Sequence, residues 1–326
     1  MAMLTMVKAL NLALSEALRE DADVVLLGED IGQDGGVFRV TEGLLEEFGH
    51  DRVIDTPVAE AAIAGAAVGM ALYGLRPVAE MQFSGFAYQA FHQVEGHVSR
   101  FRNRTRGRYS LPMVIRMPYG AGIRAIEHHS ESREAYYAHT PGLKVVIPST
   151  PRTARALLRA AIFDPDPVIF YEPKAVYRAM REEVPDEPEA LPIGKARIVR
   201  EGSDITFVAY GAMVRAAEEA ADDLADLDGV SAEVIDLLSI APMDTATILN
   251  SVEKTGRLVV IHEAPRRCGV GAEVSARVAE SGIEHLCAPI RRVTAYDVLF
   301  PYFARERAHL PSSDRIVGAA REVLAF

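Results

Sequence analysis

The run DTPVAE, Asp55 to Glu60, places a single carboxylate in the expected first turn of a helix whose remaining residues, AAIAGAAVGMALYG, carry no charge. A lone ionisable group in such a place is suited to holding and passing a proton. Asp55 or Thr56 is expected to cap the helix, with Pro57 at its first position, because short polar side chains satisfy free N–H groups there and proline lacks one. On an exposed surface Glu60 would only complement the positive helix end, worth about 0.3–1 kcal/mol. The small side chains that follow permit close packing on several sides, which would set Glu60 at a buried boundary where a carboxyl can share a proton. Fourteen residues are too few to cross a bilayer, which takes about 20.

Two further groups could do chemistry. Glu29 and Asp30 stand in GEDIGQDGGVF, directly after the apolar run VVLLG, and so at the carboxyl end of a strand, where ligands approach open α/β sheets. His128, His129 and Ser130 stand in EHHSES, a polar stretch in which an imidazole could hydrogen-bond a substrate or shuttle a proton. Neighbouring histidines diverge and lack a third ligand at helical spacing, which disfavours a metal. Ser130 is not in a GxSxG turn. Neither glycine-rich stretch has a Walker lysine or a GxGxxG fingerprint. Gln82, Phe83 and Phe86 follow another strand, and the aromatics would either fill a core or stack on a cofactor ring.

Elements must hold these residues in place. Apolar runs at VVLLGED, RPVAEMQF, PMVIRMP, KVVIPS and PVIFYEP alternate with expected helices over 4–20, from Pro57, near 87–102 and over 151–163, which reads as an α/β layer with a largely parallel sheet. The segment 181–194, rich in proline and acidic residues, reads as a linker between a domain at 1–180 and a second at 195–326. There the pattern restarts with ITFVAYG, SAEVIDLLS, RLVVIHEA and IRRVTAYD between helices near 213–227, 244–253 and 270–281, and closes on SSDRIVGAAREVLA. With 326 residues, 49% of them hydrophobic, two ordinary cores are available. A net charge of −11 argues against nucleic acid and anionic membrane as partners. Cys268 and Cys287 have no metal-ligand spacing and read as reduced core residues, which suits the cytoplasm, and the N-terminus lacks a signal-peptide pattern.

Taken in order, LGEDIG, DTPVAEAAIAGAAVGMALYGLRPVAEMQF, HHSES, AHTPGLKVVIPSTP, YEPKAVYR, EGSDITFVAYG and VEKTGRLVVIHEAP resemble the β subunit of the thiamine-diphosphate-dependent decarboxylase component of 2-oxo acid dehydrogenase complexes, from about residue 5 to 326. The resemblance implies a transketolase-like fold with a pyrimidine-binding domain and a transketolase-type C-terminal domain. It implies two α and two β chains, with the cofactor between an α and a β chain. The family's GDG motif, which holds diphosphate and Mg²⁺, is absent here and belongs to the α subunit.

On the matching positions, Glu60 is the glutamate that hydrogen-bonds the aminopyrimidine and shares the proton that activates the cofactor. Val58 and Gln82 line the same ring, Glu29 lies beside it, and Phe86 packs on it where the family often has tyrosine. His129 matches the histidine at the mouth of the site, associated with the lipoyl group and acyl transfer, while His128 matches nothing. A structural potassium ion is implied on carbonyls around Leu111, Met113, Val114, Ala161 and Asp164, with Asp166 where asparagine is common. Implied partners are the α subunit and the acyltransferase core, through its peripheral-subunit-binding and lipoyl domains. The activity implied is oxidative decarboxylation of pyruvate or a branched-chain 2-oxo acid, with acylation of the lipoyl arm. An acetoin-cleaving dehydrogenase shares nearly the same motifs. A non-catalytic docking subunit is a reading of another class, against which an intact Glu60 argues. A single-chain transketolase is rejected by the missing diphosphate motif.

Overall fold

The computed structural model describes residues 1–326. In chain order the first half runs β1 (Ala2–Leu4), α1 (Met6–Glu20), β2 (Val24–Gly28), α2 (Leu44–Phe48), β3 (Val53–Asp55), α3 (Glu60–Leu72) and β4 (Arg76–Glu80). It continues through α4 (Phe91–Gln93), α5 (Phe101–Arg104), β5 (Val114–Tyr119), α6 (Glu134–Ala138), β6 (Lys144–Val146), α7 (Pro151–Phe163), β7 (Val168–Pro173) and β8 (Glu182–Val184). The second half comprises β9 (Arg197–Arg200), β10 (Ile205–Ala209), α8 (Met213–Asp228), β11 (Ala232–Asp236), β12 (Ser239–Ala241) and α9 (Thr245–Thr255). It ends with β13 (Leu258–Pro265), α10 (Val270–Ser281), β14 (Arg291–Ala295), α11 (Phe303–His309) and α12 (Ser313–Leu324).

Seven strands form one sheet in the order β12-β6-β7-β5-β4-β2-β3, and five form another in the order β14-β13-β10-β11-β9. Within the first, β3, β2, β4, β5, β7 and β6 are parallel, and their near-continuous apolar sequences are those of strands covered on both faces. α1 and α7 cover one face together, with Met6, Leu10, Leu14 and Leu18 buried on α1 and Thr150 and Thr153 forming a capping box ahead of α7. α3 covers the other face through Ile63, Ala64, Ala67 and Ala71. The two halves are not separate bodies. β12 pairs antiparallel with β6 at the edge of the first sheet, and one core contains Ile115, Tyr119 and Tyr171 alongside Val208, Tyr210 and Ile235.

Several expectations are corrected. α3 begins at Glu60 after Ala59, with no side-chain cap, so Pro57 lies before the helix. The reason is competition for Asp55, whose carboxylate accepts from the backbone N–H groups of Gly32 and Gln33 at 2.6 and 3.3 Å instead. The single helix expected near 87–102 is a series of short pieces: a 3₁₀ turn at Ala87–Ala90, α4, a π-helical turn at Val94–Val98, then α5. The chain opens with a strand rather than a helix at residue 4, and β1 pairs with β8 inside the expected linker. Cys268 and Cys287 are free thiols on the surface, not core residues. No helix is long and apolar enough to cross a membrane.

Candidate active site

Parallel strands deliver their loops to one rim. Chain order runs from β2 outward to β3 and then back across to β4, so the crevice between the carboxyl ends of β2 and β4 is a topological switch point, the place where open α/β sheets bind ligands. Glu29 and Asp30 emerge from one side of it and Gln82 and Phe83 from the other. Gln82 Nε2 donates to Asp30 Oδ2 at 2.9 Å across the crevice. Gly28 pairs in register with Glu80, and a Cβ on it would stand 2.9 Å from that residue's Cβ, so only glycine lets the strands close here. α3 then brings Glu60 in from β3.

Glu60 and Glu29 are 2% and 4% exposed, and Glu60 Oε2 and Glu29 Oε1 are buried with no hydrogen-bond partner. Burial pushes the Glu29 carboxyl up, and the charges of Glu60, Asp30 and Glu80 push it further. An unpaired buried carboxylate costs its full desolvation, so two together describe a site complementary to a donor arriving from outside the chain.

His129 reaches the same rim on the loop from Gly120 to Glu131, closed at its base by Gly120 N–H donating to the Glu131 carbonyl at 3.2 Å. Its ring meets Phe83 and Phe86 edge-on at centroid distances of 4.3 and 5.2 Å. His129 Nδ1 is buried without a partner. Burial, then the Lys174 and His128 charges, lower its pKa and favour the neutral imidazole. His128 is instead exposed, its Nδ1 3.4 Å from Glu127. Ser130 is buried, its hydroxyl 3.4 Å from the Ala125 carbonyl. Phe86 is half-buried beside His129, and Val58 is 78% exposed just before α3.

A transketolase pyrimidine-binding domain matches residues 2–180 and a transketolase C-terminal domain matches residues 194–316. The chain is 49% identical to the pyruvate dehydrogenase E1 component subunit beta of Acholeplasma laidlawii over 99% of its own length and 98% of the relative's. It is 49% identical to the proteins of that name from Staphylococcus epidermidis and Staphylococcus aureus over the full length of both chains. The chain belongs to this family of E1 β subunits. A split-gene transketolase, solved as an inactive β4 tetramer, shares the fold with a TM-score of 0.82 over 99% of each chain at 23% identity.

In this E1 β-type chain the rim fits the pyrimidine half of thiamine diphosphate. The free oxygen of Glu60 can receive a ring N–H, and Phe86, half-buried against Phe83 and His129, is an aromatic on the same rim. The fit of the potassium site is poor. Asp164 and Asp166 do come together near Ala161, but Lys144 Nζ lies 2.6 and 2.7 Å from the two Asp164 oxygens and 3.7 Å from Asp166, while Arg102 Nε donates to Asp166 at 2.5 Å. The Leu111, Met113 and Ala161 carbonyls already accept backbone N–H groups, and Val114 lies within β5. An added cation would face two fixed positive charges.

Sequence reasoning missed Lys174, Glu263 and Glu306, which gather behind the His129 loop. Lys174 is 3% exposed, and its Nζ has no hydrogen-bond partner and lies 5.7 Å over the Phe83 ring. Burial brings its pKa down to about 7, with Glu263 and Glu306 partly offsetting the fall. The only signal was the charge of Lys174 in YEPKAVYR and of Glu263 in IHEAP at the ends of apolar strands, and Glu306 had none.

Proposed function

We propose that this chain is the β half of a pyruvate dehydrogenase-type E1, the thiamine-diphosphate-dependent component that decarboxylates a 2-oxo acid and acylates a lipoyl arm, working with an α subunit in the cytoplasm. The observation that carries the reading is the pair of buried carboxylates, Glu29 and Glu60, facing a switch-point crevice without a donor. Residues 1–180 would supply the pyrimidine-binding half and 195–326 the C-terminal half. Pyruvate is favoured as the substrate by the names of the full-length relatives at 49% identity, whereas nothing in the rim favours acetoin cleavage or a purely docking role.

When bound, thiamine diphosphate supplies the electron sink for decarboxylation. The chain's own residues do the placing. Glu60 holds a proton at the aminopyrimidine nitrogen, and burial with Glu29 keeps that proton in a site screened from water. Val58, Gln82 and Phe86 orient the ring. The α subunit carries diphosphate and Mg²⁺, consistent with the absence of a GDG motif. His129, neutral and shielded by Phe83 and Phe86, hydrogen-bonds the incoming lipoyl group at the mouth. The acyltransferase core is the acceptor, reached through its lipoyl and peripheral-subunit-binding domains.

Calorimetry separates this from a self-sufficient enzyme. The chain alone should bind thiamine diphosphate weakly even with Mg²⁺, and co-expression with the α subunit should restore tight binding and release of carbon dioxide from pyruvate. Submicromolar binding by the isolated chain would overturn the split site.

A further inference from the structure

We propose that Glu263 and Glu306, reaching from the second half of the chain, are positioning residues that hold the Gly120–Glu131 loop, and His129 on it, in place for acyl transfer. The proposal rests on the reading of His129 given above. The loop has few ties of its own. Gly120, Gly122 and Arg124 have φ values of +78°, +99° and +56°, Ile123, Arg124 and Ile126 are exposed, and the internal backbone bonds are confined to its base and its last turn.

What fixes the loop comes from far along the chain. Ala121 N–H donates to Glu263 Oε2 at 2.9 Å, across 142 residues, and Gly122 N–H donates to Glu306 Oε1 at 3.0 Å, across 184 residues. Two consecutive amides are thus held by carboxylates on β13 and α11, and bonds of this charged kind are about twice as strong as neutral ones. Both carboxylates are buried, at 6% and 5% exposure, which is costly unless they are used. Lys174 lies close enough to feel both carboxylates, yet its Nζ makes no hydrogen bond and takes neither of the oxygens that meet the loop.

The contact is flush. A Cβ on Gly120 would lie 2.7 Å from both Glu263 carboxylate oxygens, and one on Gly122 would lie 2.6 Å from Ala175 Cβ, directly after Lys174. At the other end of the loop the His128 carbonyl sits where Gly85 has no side chain, since a Cβ there would be 2.0 Å away, and His129 lies against Phe83 and Phe86. The loop is therefore held near its C-terminal end by its own half and at its N-terminal base by the other. Releasing the base would let the imidazole wander by distances that cost catalysis heavily.

The test uses the assembled α and β chains carrying Glu306→Ala, with Glu306→Gln as the conservative variant that keeps an oxygen acceptor for Gly122. Amide hydrogen exchange over residues 120–131 should accelerate at least 10-fold in Glu306→Ala. Acyl transfer to a free lipoyl domain should fall about 10-fold, mainly in kcat, while decarboxylation followed with an artificial electron acceptor stays within twofold. Glu306→Gln should recover most of both losses. Where Glu306→Ala does not assemble, Glu306→Asp, which shortens the reach by one methylene, should show the same pattern more weakly. Unchanged exchange over 120–131, faster exchange with undiminished acyl transfer, or an equal fall in both half-reactions would overturn the proposal. His129→Ala without a selective loss of acyl transfer would instead overturn the reading of His129, and the exchange data would still report whether the carboxylates hold the loop.

Discussion

One strand apart on the same rim, two sets of buried carboxylates are treated in opposite ways. At the ends of β4 and β7, Glu80 and Glu172 close on the fully buried Arg116, whose Nε and Nη2 donate to Glu172 at 2.7 and 2.9 Å and whose Nη1 donates to Glu80; Tyr177 adds its hydroxyl to Glu172. Next to β2, Glu29 and Glu60 are equally buried and have no cation and no donor for one oxygen each. Burial alone thus does not mark a site, because both sets share it. The mark is an acceptor left without a partner in a crevice where one can enter.

The contrast is broken most directly at its two centres. Glu60→Gln should lower decarboxylation by a factor on the order of 10²–10⁴, as for loss of positioned acid–base catalysis. It should leave the melting temperature of the chain unchanged or raised, since the repulsion with Glu29 is relieved. Arg116→Met should do the reverse, costing about 3–5 kcal/mol of stability because two carboxylates are left buried without their cation. Denaturant titration of both variants decides it. Equal destabilisation would mean that Glu60 is as structural as Glu80.

His129→Ala sharpens the comparison in function. With the imidazole proposed at the mouth rather than on the ring, acyl transfer to a lipoyl domain should fall on the order of 10²-fold while decarboxylation falls less. A larger defect from His128→Ala, whose ring is exposed, would reassign the pair.

The satisfied and unsatisfied regions were also unequally legible. That Glu60, Gln82 and Phe86 stand at strand or helix ends could be read from local pattern, and the alternation of apolar runs with helices gave the two sheets. The cap of α3 could not be read, because Asp55 is claimed by Gly32 and Gln33, more than twenty residues back. The 87–104 stretch mixes 3₁₀, α and π turns, which have no common period to detect. The pairing of β1 with β8, and the carboxylates that meet Ala121 and Gly122, join residues far apart in the chain, where no local spacing records the contact.

Lys174 gives a smaller, pH-dependent effect. Its folded pKa of about 7 lies below the unfolded value, so between pH 7 and about 10 the unfolded chain binds more protons and stability rises with pH. The contribution is lost as pH falls through 7. Glu134, pushed up to about 7 by burial, acts below that window, its contribution being lost as pH rises from its unfolded value toward 7. Lys174→Met should therefore remove a slope of up to about 1.4 kcal/mol per pH unit above pH 7. Unfolding curves at pH 7, 8 and 9 that stay parallel for both chains would show that Lys174 does not titrate in the folded state.

The smallest effect contrasts two kinds of glycine around the same crevice. Gly28 and Gly32 are required by contact, because a Cβ would stand 2.9 Å from Glu80 Cβ and 2.4 Å from Asp55 Oδ2, so alanine at either should destabilise the rim. Gly65 and Gly69 lie within α3, where a Cβ would meet nothing within 4 Å. Alanine there should stabilise the isolated chain by about 0.5–1 kcal/mol through helix propensity alone. Nothing in the chain itself explains why a helix should give up that stability twice on one face. Measured at low protein concentration, a rise in melting temperature for Gly69→Ala matches an uncovered face. A fall that deepens with concentration would show that copies of the chain already pack there, and that close approach, rather than propensity, sets the residue.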